Sequence, residues 1–273
     1  MRDTVGAGDF IPWEGGCLLI GRALDVTAEH AHYAIQLAFG STPGIRFRPD
    51  ARTEWTEYGG AIIPSRQPHT MDATKVAPSA VIFVEPESLQ GRALAESYPD
   101  AGISALREEQ FETSARVLFA TWRTHGNSEA TASAAQAVID ALAQSSRTGP
   151  VSDERILRVV TYIRSHLDGP LTLEEVAREA CLSPSRFRHL FIEQTGTALR
   201  PYILWRRFLL AWEVVMHGGS ISTAAHTAGF ADAAHLTRTS NRMFGFPPSA
   251  LQINEHHAAR PAPTFTAAPA SRV

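Results

Sequence analysis

The stretch LTLEEVAREACLSPSRFRHLFIEQTG, residues 171–196, decides how the second half of this chain is read. Thr172 with Glu175 three positions on makes a capping box, in which each side chain accepts an otherwise orphaned N–H at a helix start. Val176, Ala177 and Ala180 give that helix its apolar face, and Cys181-Leu182 supplies a turn. Ser183 then caps a second helix. Pro184 sits at its first position, where a missing N–H costs nothing, and Gly196 stops it by taking a positive φ. Phe187, Leu190 and Phe191 stand at i, i+3 and i+4 and must pack inward, so Ser185, Arg186, Arg188 and His189 are left facing out.

The unit recurs downstream. Ser220 stands where Thr172 does, Ala225 where Ala177 does, and Gly229-Phe230 where Cys181-Leu182 do. Asp232 takes the cap of Ser183, Leu236 the core place of Phe187 and Gly245 the stop of Gly196, with Ala234, His235, Thr237 and Arg238 outward. Between the copies, Ile203, Leu204, Phe208, Ala211, Trp212 and Val215 carry a helical period from Pro201 to His217. As one helix this rod spans about 25 Å at 1.5 Å per residue. A duplicated hairpin used only for packing is the plain alternative; two units on one rod suit a pair of adjacent major grooves.

Leu171–Ala177, Leu182–Phe191, Gly196, Ala228-Gly-Phe230, His235–Arg238 and Gly245-Phe-Pro-Pro248 together resemble the DNA-binding domain of AraC-type (AraC/XylS) bacterial transcription regulators over residues 151–254. The resemblance implies that Ser185, Arg188 and His189, and Ala234, His235, Thr237 and Arg238, face the grooves, nearly the set that the periodicity selects. Arg188 and Arg238 can each donate two hydrogen bonds to a guanine edge, worth about 1–3 kcal/mol of discrimination. Arg186, Arg206 and Arg207 are expected on phosphates, where they position without specifying. Ser240 departs from the large apolar residue usual in the family, and Ala233-Ala234 bring no hydrogen-bonding side chain. The first reading helix is therefore expected to carry most of the specificity. Cys181, which matches Gly229, is expected to take the left-handed backbone conformation and to be buried against Leu182.

Upstream the pattern is different. Cys17–Ile20, Tyr33–Phe39, Ile45–Arg48, Trp55–Tyr58, Ala61–Ile63 and Ala80–Val84 read as short strands between Gly/Pro turns. After Pro86 the period becomes 3.6, with helices expected over about 104–123 and 128–143 that either close the β-core or form a dimer seam. The fold expected is α+β in two domains: an antiparallel β-barrel or sandwich with two flanking helices, which the resemblance to AraC-type regulators implies is cupin-like, and an all-α domain with two helix-turn-helix motifs joined by a long helix. The boundaries expected are 1–146 for the first domain, which the resemblance implies binds an effector and dimerises, 147–152 for a linker and 153–254 for the DNA-binding domain. Within the last, the motifs fall at about 172–195 and 220–244, and a disordered tail is expected over 255–273.

His30-x-His32 with His69 loosely resembles the cupin arrangement of three imidazoles inside a barrel, with Gln36 nearest to where an acidic ligand would stand. His30, His32, Trp55, Tyr58 and His69, with Trp13, are expected to line an effector pocket. No catalytic residue, resident metal or cofactor is expected. The alternative is a metal-dependent cupin-type enzyme with a fused helical accessory.

Composition sets the frame. With 273 residues, 44% hydrophobic and 19% charged, the chain suits two globular domains and is not disordered as a whole. No apolar run reaches the ~20 residues needed to span a bilayer, and Cys17 and Cys181 are too few for a disulfide framework, so a cytoplasmic protein is expected. Residues 1–150 carry a net charge of −6 and the remainder +3, which places the positive field in the second half. Promoter DNA is the expected partner, and the resemblance adds a small effector, a homodimer and, for an activator, RNA polymerase.

Overall fold

A computed structural model describes residues 5–99, 102–143 and 153–253. The expected linker at 147–152 and tail at 255–273 lie outside the described residues.

The first half is built on strands β1 (Gly6–Trp13), β2 (Gly16–Ala23), β3 (Ile35–Gly40), β4 (Ile45–Arg48), β5 (Thr56–Tyr58), β6 (Gly60–Ile63), β7 (Thr70–Asp72) and β8 (Ser79–Val84). After them come α1 (Leu89–Ser97), β9 (Ser104–Ala105), α2 (Glu108–His125) and α3 (Glu129–Leu142). The second half is helical: α4 (Glu154–Ser165), α5 (Leu173–Glu179), α6 (Pro184–Thr195), α7 (Leu199–Met216), α8 (Ile221–Thr227) and α9 (Ala233–Phe244), then β10 (Leu251–Ile253). Among the described residues the strands form two sheets, one ordered β10-β1-β2-β8-β3-β6-β9 and a smaller one ordered β5-β4-β7.

The central strands are apolar on both faces, and the period of two sorts their side chains into two cores. Leu18 and Ile20, Leu37 and Phe39, and Ile82 and Val84 pack with Phe111, Leu118 and Phe119 of α2 and Val138, Ile139 and Leu142 of α3. Of the two roles left open for this helix pair, closing the β-core is therefore the one the packing displays. Ser128 caps α3 by accepting from the Thr131 N–H. The alternate residues Cys17, Ala38, Ile63, Val81 and Phe83 face the other way, toward Ile45 and Phe47 of the small sheet and the helical domain.

That second core runs without a break into the helical half. Phe83 meets Trp205 and Phe244 with ring centroids 5.9 and 5.3 Å apart, and Phe10 meets Trp212 edge-on at 5.5 Å. Backbone joins the halves as well. β10 pairs parallel to β1, with Gly6 opposite Leu251 and Gly8 opposite Ile253, so the otherwise antiparallel sheet has one parallel edge.

Candidate nucleic-acid interface

Each helix boundary in the two repeated units follows from its own residues. Thr172 and Glu175 form the capping box at α5. The Ser183 hydroxyl accepts from the Arg186 N–H, Pro184 opens α6, and Gly196 ends it at φ 71°. In the second copy Ser220 accepts from Thr223 N–H, Asp232 from His235 N–H at 2.6 Å, and Gly245 stops α9 at φ 75°. Cys181 has the expected left-handed φ of 54°, but it is exposed rather than buried, because the turn aims its short side chain away from the core.

On α6, Phe187 and Phe191 are fully buried while Ser185, Arg186, Arg188 and His189 are exposed. On α9, Leu236 is buried and Ala234 and Arg238 are exposed. His235 and Thr237 are only half-exposed: the His235 ring lies edge-on to Phe230 at 5.2 Å, and the Thr237 hydroxyl donates to the Ala233 carbonyl. Ser240 is buried and donates to the Phe246 carbonyl at 2.7 Å, so the residue that departs from the family pattern ties α9 to the chain that follows it. Asn241 and Arg242, absent from the expected set, are exposed one turn beyond Arg238.

Two expected phosphate contacts are corrected. Arg206 turns inward, its side chain 15% exposed, and pairs with Glu85, which is 1% exposed at the end of the β-domain sheet. Trp205 Nε1 donates to the same carboxylate at 3.2 Å, and Arg164 lies 3.7 Å from its other oxygen. Burial alone would lower the Arg206 pKa; the adjacent Glu85 charge outweighs it, and the guanidinium stays protonated. Arg207 donates Nε to the Leu167 carbonyl at 3.0 Å and a terminal nitrogen to the Gly169 carbonyl, which fixes the loop after α4. Neither guanidinium is free for a phosphate in this arrangement. Arg186 is.

The β-domain holds both α6 and α9 by their C-terminal ends. Arg92 donates to the Gln194 carbonyl and Arg66 to the Thr197 hydroxyl. The Tyr33 hydroxyl donates to Glu87 at 2.5 Å and lies 3.4 Å from the Thr195 carbonyl. At α9, Ala31 N–H donates to the Arg242 carbonyl and Ala28 N–H to the Gly245 carbonyl.

The five residues expected to line one pocket separate. A two-way backbone bridge joins His30 to His69, and their rings, 4.2 Å apart, group with that of His32. All three are buried. Burial pushes their pKa values down, that of His30 to about 3 with help from neighbouring His32, so the rings are neutral. Trp55 instead lies under the guanidinium groups of Arg46 and Arg48, with Arg48 4.7 Å from the ring centroid, and Tyr58 packs on Phe47. Trp13 packs against the α2/α3 core. The hollows lie elsewhere. One of about 90 Å³, between β1, β2, Met216 and Phe246, is smaller than most ligand sites; another, of about 340 Å³ beside Ile35, Ile62, Leu94 and Tyr98, falls within their usual range.

Comparison with known proteins agrees with this geometry. Residues 176–253 match the family model described as a helix-turn-helix domain. The chain is 30% identical over 107 residues to the regulatory protein PocR of Salmonella typhimurium, covering 38% of this chain and 35% of that one. It is 31% identical over 109 residues to the arabinose operon regulatory protein of Escherichia coli, covering 37% and 35%. The match thus spans about a third of the length of these relatives. In fold, apo ToxT from Vibrio cholerae superposes over 88% of this chain and 97% of its own with a TM-score of 0.56 at 9% identity. A form of ToxT bound to unsaturated fatty acid covers 91% and 96% with a TM-score of 0.51 at 10% identity.

Proposed function

Since the chain carries an AraC-type helix-turn-helix domain behind a β-domain, we propose that it is a sequence-specific DNA-binding transcription regulator of the bacterial cytoplasm. The observation that carries this reading is the outward face of α6. Ser185, Arg186, Arg188 and His189 stand exposed together on a helix capped at both ends and anchored by buried Phe187 and Phe191. Arg188 reads a guanine edge, His189 and Ser185 contact neighbouring base edges, and Arg186 holds a phosphate. On α9, Arg238 reads the second groove, with Ala234, His235 and Thr237 shaping the approach.

The β-domain is the regulatory half. Arg66, Arg92 and Tyr33 hold the end of α6, Glu85 holds α7, and the chain at 28–31 holds the end of α9. A change inside the β-domain therefore moves the two readers relative to one another. A small effector fits the larger hollow in volume, and a homodimer would pair two such readers on one operator. The three-histidine cluster is buried beside Phe83, Trp205 and Phe244 rather than open to a substrate cleft, so the enzyme alternative gains no support from it.

Selection of bound duplexes from a randomised library tests the reading. An enriched motif is expected, with affinity that falls steeply as salt rises; binding equally tight to every sequence overturns it.

A further inference from the structure

His30, His32 and His69 each offer a ring nitrogen, and these atoms all lie within 4.8 Å of one another. Their Nδ1 atoms face backbone carbonyls: Ala28 O at 2.8 Å from His30, Ala34 O at 2.8 Å from His32 and Gln67 O at 3.0 Å from His69. A neutral imidazole has one N–H, and a carbonyl partner fixes it on Nδ1, so all three Nε2 atoms carry lone pairs. This is the tautomer that backbone carbonyls enforce on metal-ligating histidines.

One group remains unexplained by packing alone: His69 Nε2 is buried with no hydrogen-bond partner. The Gln36 side-chain amide lies 2.8 Å from His32 Nε2, so its oxygen is at hand beside the three rings. A cation among the rings gives the His69 lone pair a partner. An ion centred in a triangle with 4.8 Å sides would be about 2.8 Å from each nitrogen, against about 2.1 Å for a Zn–N bond, so each ring need move by less than about 1 Å.

We infer that His30, His32 and His69, with Gln36 as oxygen donor, bind one divalent late first-row metal ion, and that its binding is reported to the second reading helix. Neutral imidazole selects Zn(II), Co(II) or Ni(II) over Mg(II) and Ca(II). The path to α9 is short. The two segment residues that flank the ligands, Ala28 and Ala31, donate to the carbonyls of Gly245 and Arg242 at the end of that helix. The His32 ring stacks on Phe244 at 6.0 Å and 29°. A Cβ at Gly245 would come within 3.0 Å of His30 Nδ1, so the residue that stops α9 rests against a ligand ring. Drawing the rings together on an ion therefore pulls on the end of a reading helix. This regulatory role rests on the transcription-regulator reading; the site itself does not.

The full-length protein, stripped with chelator, is titrated with Co(II) and then with Zn(II). Expected are one ion per chain, a ligand-field absorption that Zn(II) abolishes, and at least 100-fold weaker binding in His69→Gln. Gln36→Glu, which supplies a charged oxygen at the same place, is expected to bind more tightly, and it keeps the test decisive if His69→Gln folds poorly. The selected duplex is then bound by stripped and Zn(II)-loaded protein, with an affinity difference of about 5-fold or more expected, as for typical coupling between sites. No stoichiometric Co(II) spectrum overturns the proposal while leaving DNA binding intact. A spectrum with unchanged DNA affinity overturns the coupling. Sequence-selective DNA binding absent from both forms overturns the regulator reading, and the Co(II) spectrum, which needs no DNA, tells that failure apart.

Discussion

Ser183 and Asp232 cap α6 and α9 alike, and Gly196 and Gly245 stop them alike, yet the faces between these ends differ in what they offer. The outward side of α6 presents Arg186, Arg188 and His189 to solvent, whereas α9 presents Ala234 and Arg238, with the Thr237 hydroxyl already bonded to its own helix. The far end of α9 also meets the β-domain: Phe244, stacked on Phe208 of α7 at 4.5 Å and beside Trp205 and Trp212, packs edge-on against Phe83 of β8 at 5.3 Å. The outward face of α6 is left clear, while the end of α9 also helps to hold the halves together. Duplication supplied two equal folds, and the surroundings made them unequal.

Truncation of the anchor should break this contrast most severely. Phe244→Ala is expected to cost about 3–5 kcal/mol of stability, as for a buried aromatic. Ile192→Ala, at a position 42% exposed on α6, should stay within about 0.5 kcal/mol. Equal losses in thermal unfolding would mean that Phe244 is not the anchor of α9.

Next in size, Arg206→Met leaves Glu85 buried without its nearest partner and is expected to cost about 3–5 kcal/mol by denaturant titration, with the salt dependence of DNA binding unchanged. Arg186→Ala should do the reverse, leaving stability alone and lowering the salt slope by about 1. A lowered slope in Arg206→Met would return it to the phosphate set.

Within DNA binding, Arg188→Ala is expected to weaken the cognate complex by about 1–3 kcal/mol and Arg238→Ala by less, measured at one salt concentration. Equal losses would make the two readers equivalent.

A pH-dependent effect concerns what holds α6. Glu87, which accepts from Tyr33 beside the Thr195 carbonyl, is pushed up to about 8 by burial first and by the Glu85 charge second. A carboxyl whose folded pKa is raised binds its proton more tightly when folded. Its contribution is full below the ordinary carboxyl pKa and is lost as pH rises through about 8. Between pH 5 and 9 the wild type should lose stability that Glu87→Gln retains; parallel pH profiles would show that the group does not titrate on folding.

What the sequence made legible was local. Caps, stops and inward-facing triplets are written within four residues of one another, and the structure has them at Thr172, Ser183, Ser220 and Asp232. Long-range partners are not so written. GAGDFIPW lacks a clean alternation, and β1 exists because β2 and β10 lie on either side of it. Arg206 and Arg207 sit on the polar side of an apolar helix, and only the docked β-domain decides that one meets Glu85 and the other two carbonyls. Trp55 was separated from the histidines by strand pairing, since β4 brings Arg46 and Arg48 over its ring. The three histidines could be nominated from spacing, but their convergence depends on the bridge between residues 30 and 69.

The parallel pairing of residues 6–8 with 251–253 has a consequence for synthesis. A chain emerging from the ribosome completes the rest of this sheet early, yet residues 6–8 of β1 keep a bare edge until the helices α4 to α9 have been made and residues 251–253 follow. That edge, with unpaired N–H and C=O groups, is where nascent chains would stick to one another. β10 thus acts as a closing seam whose arrival covers that edge against neighbouring chains.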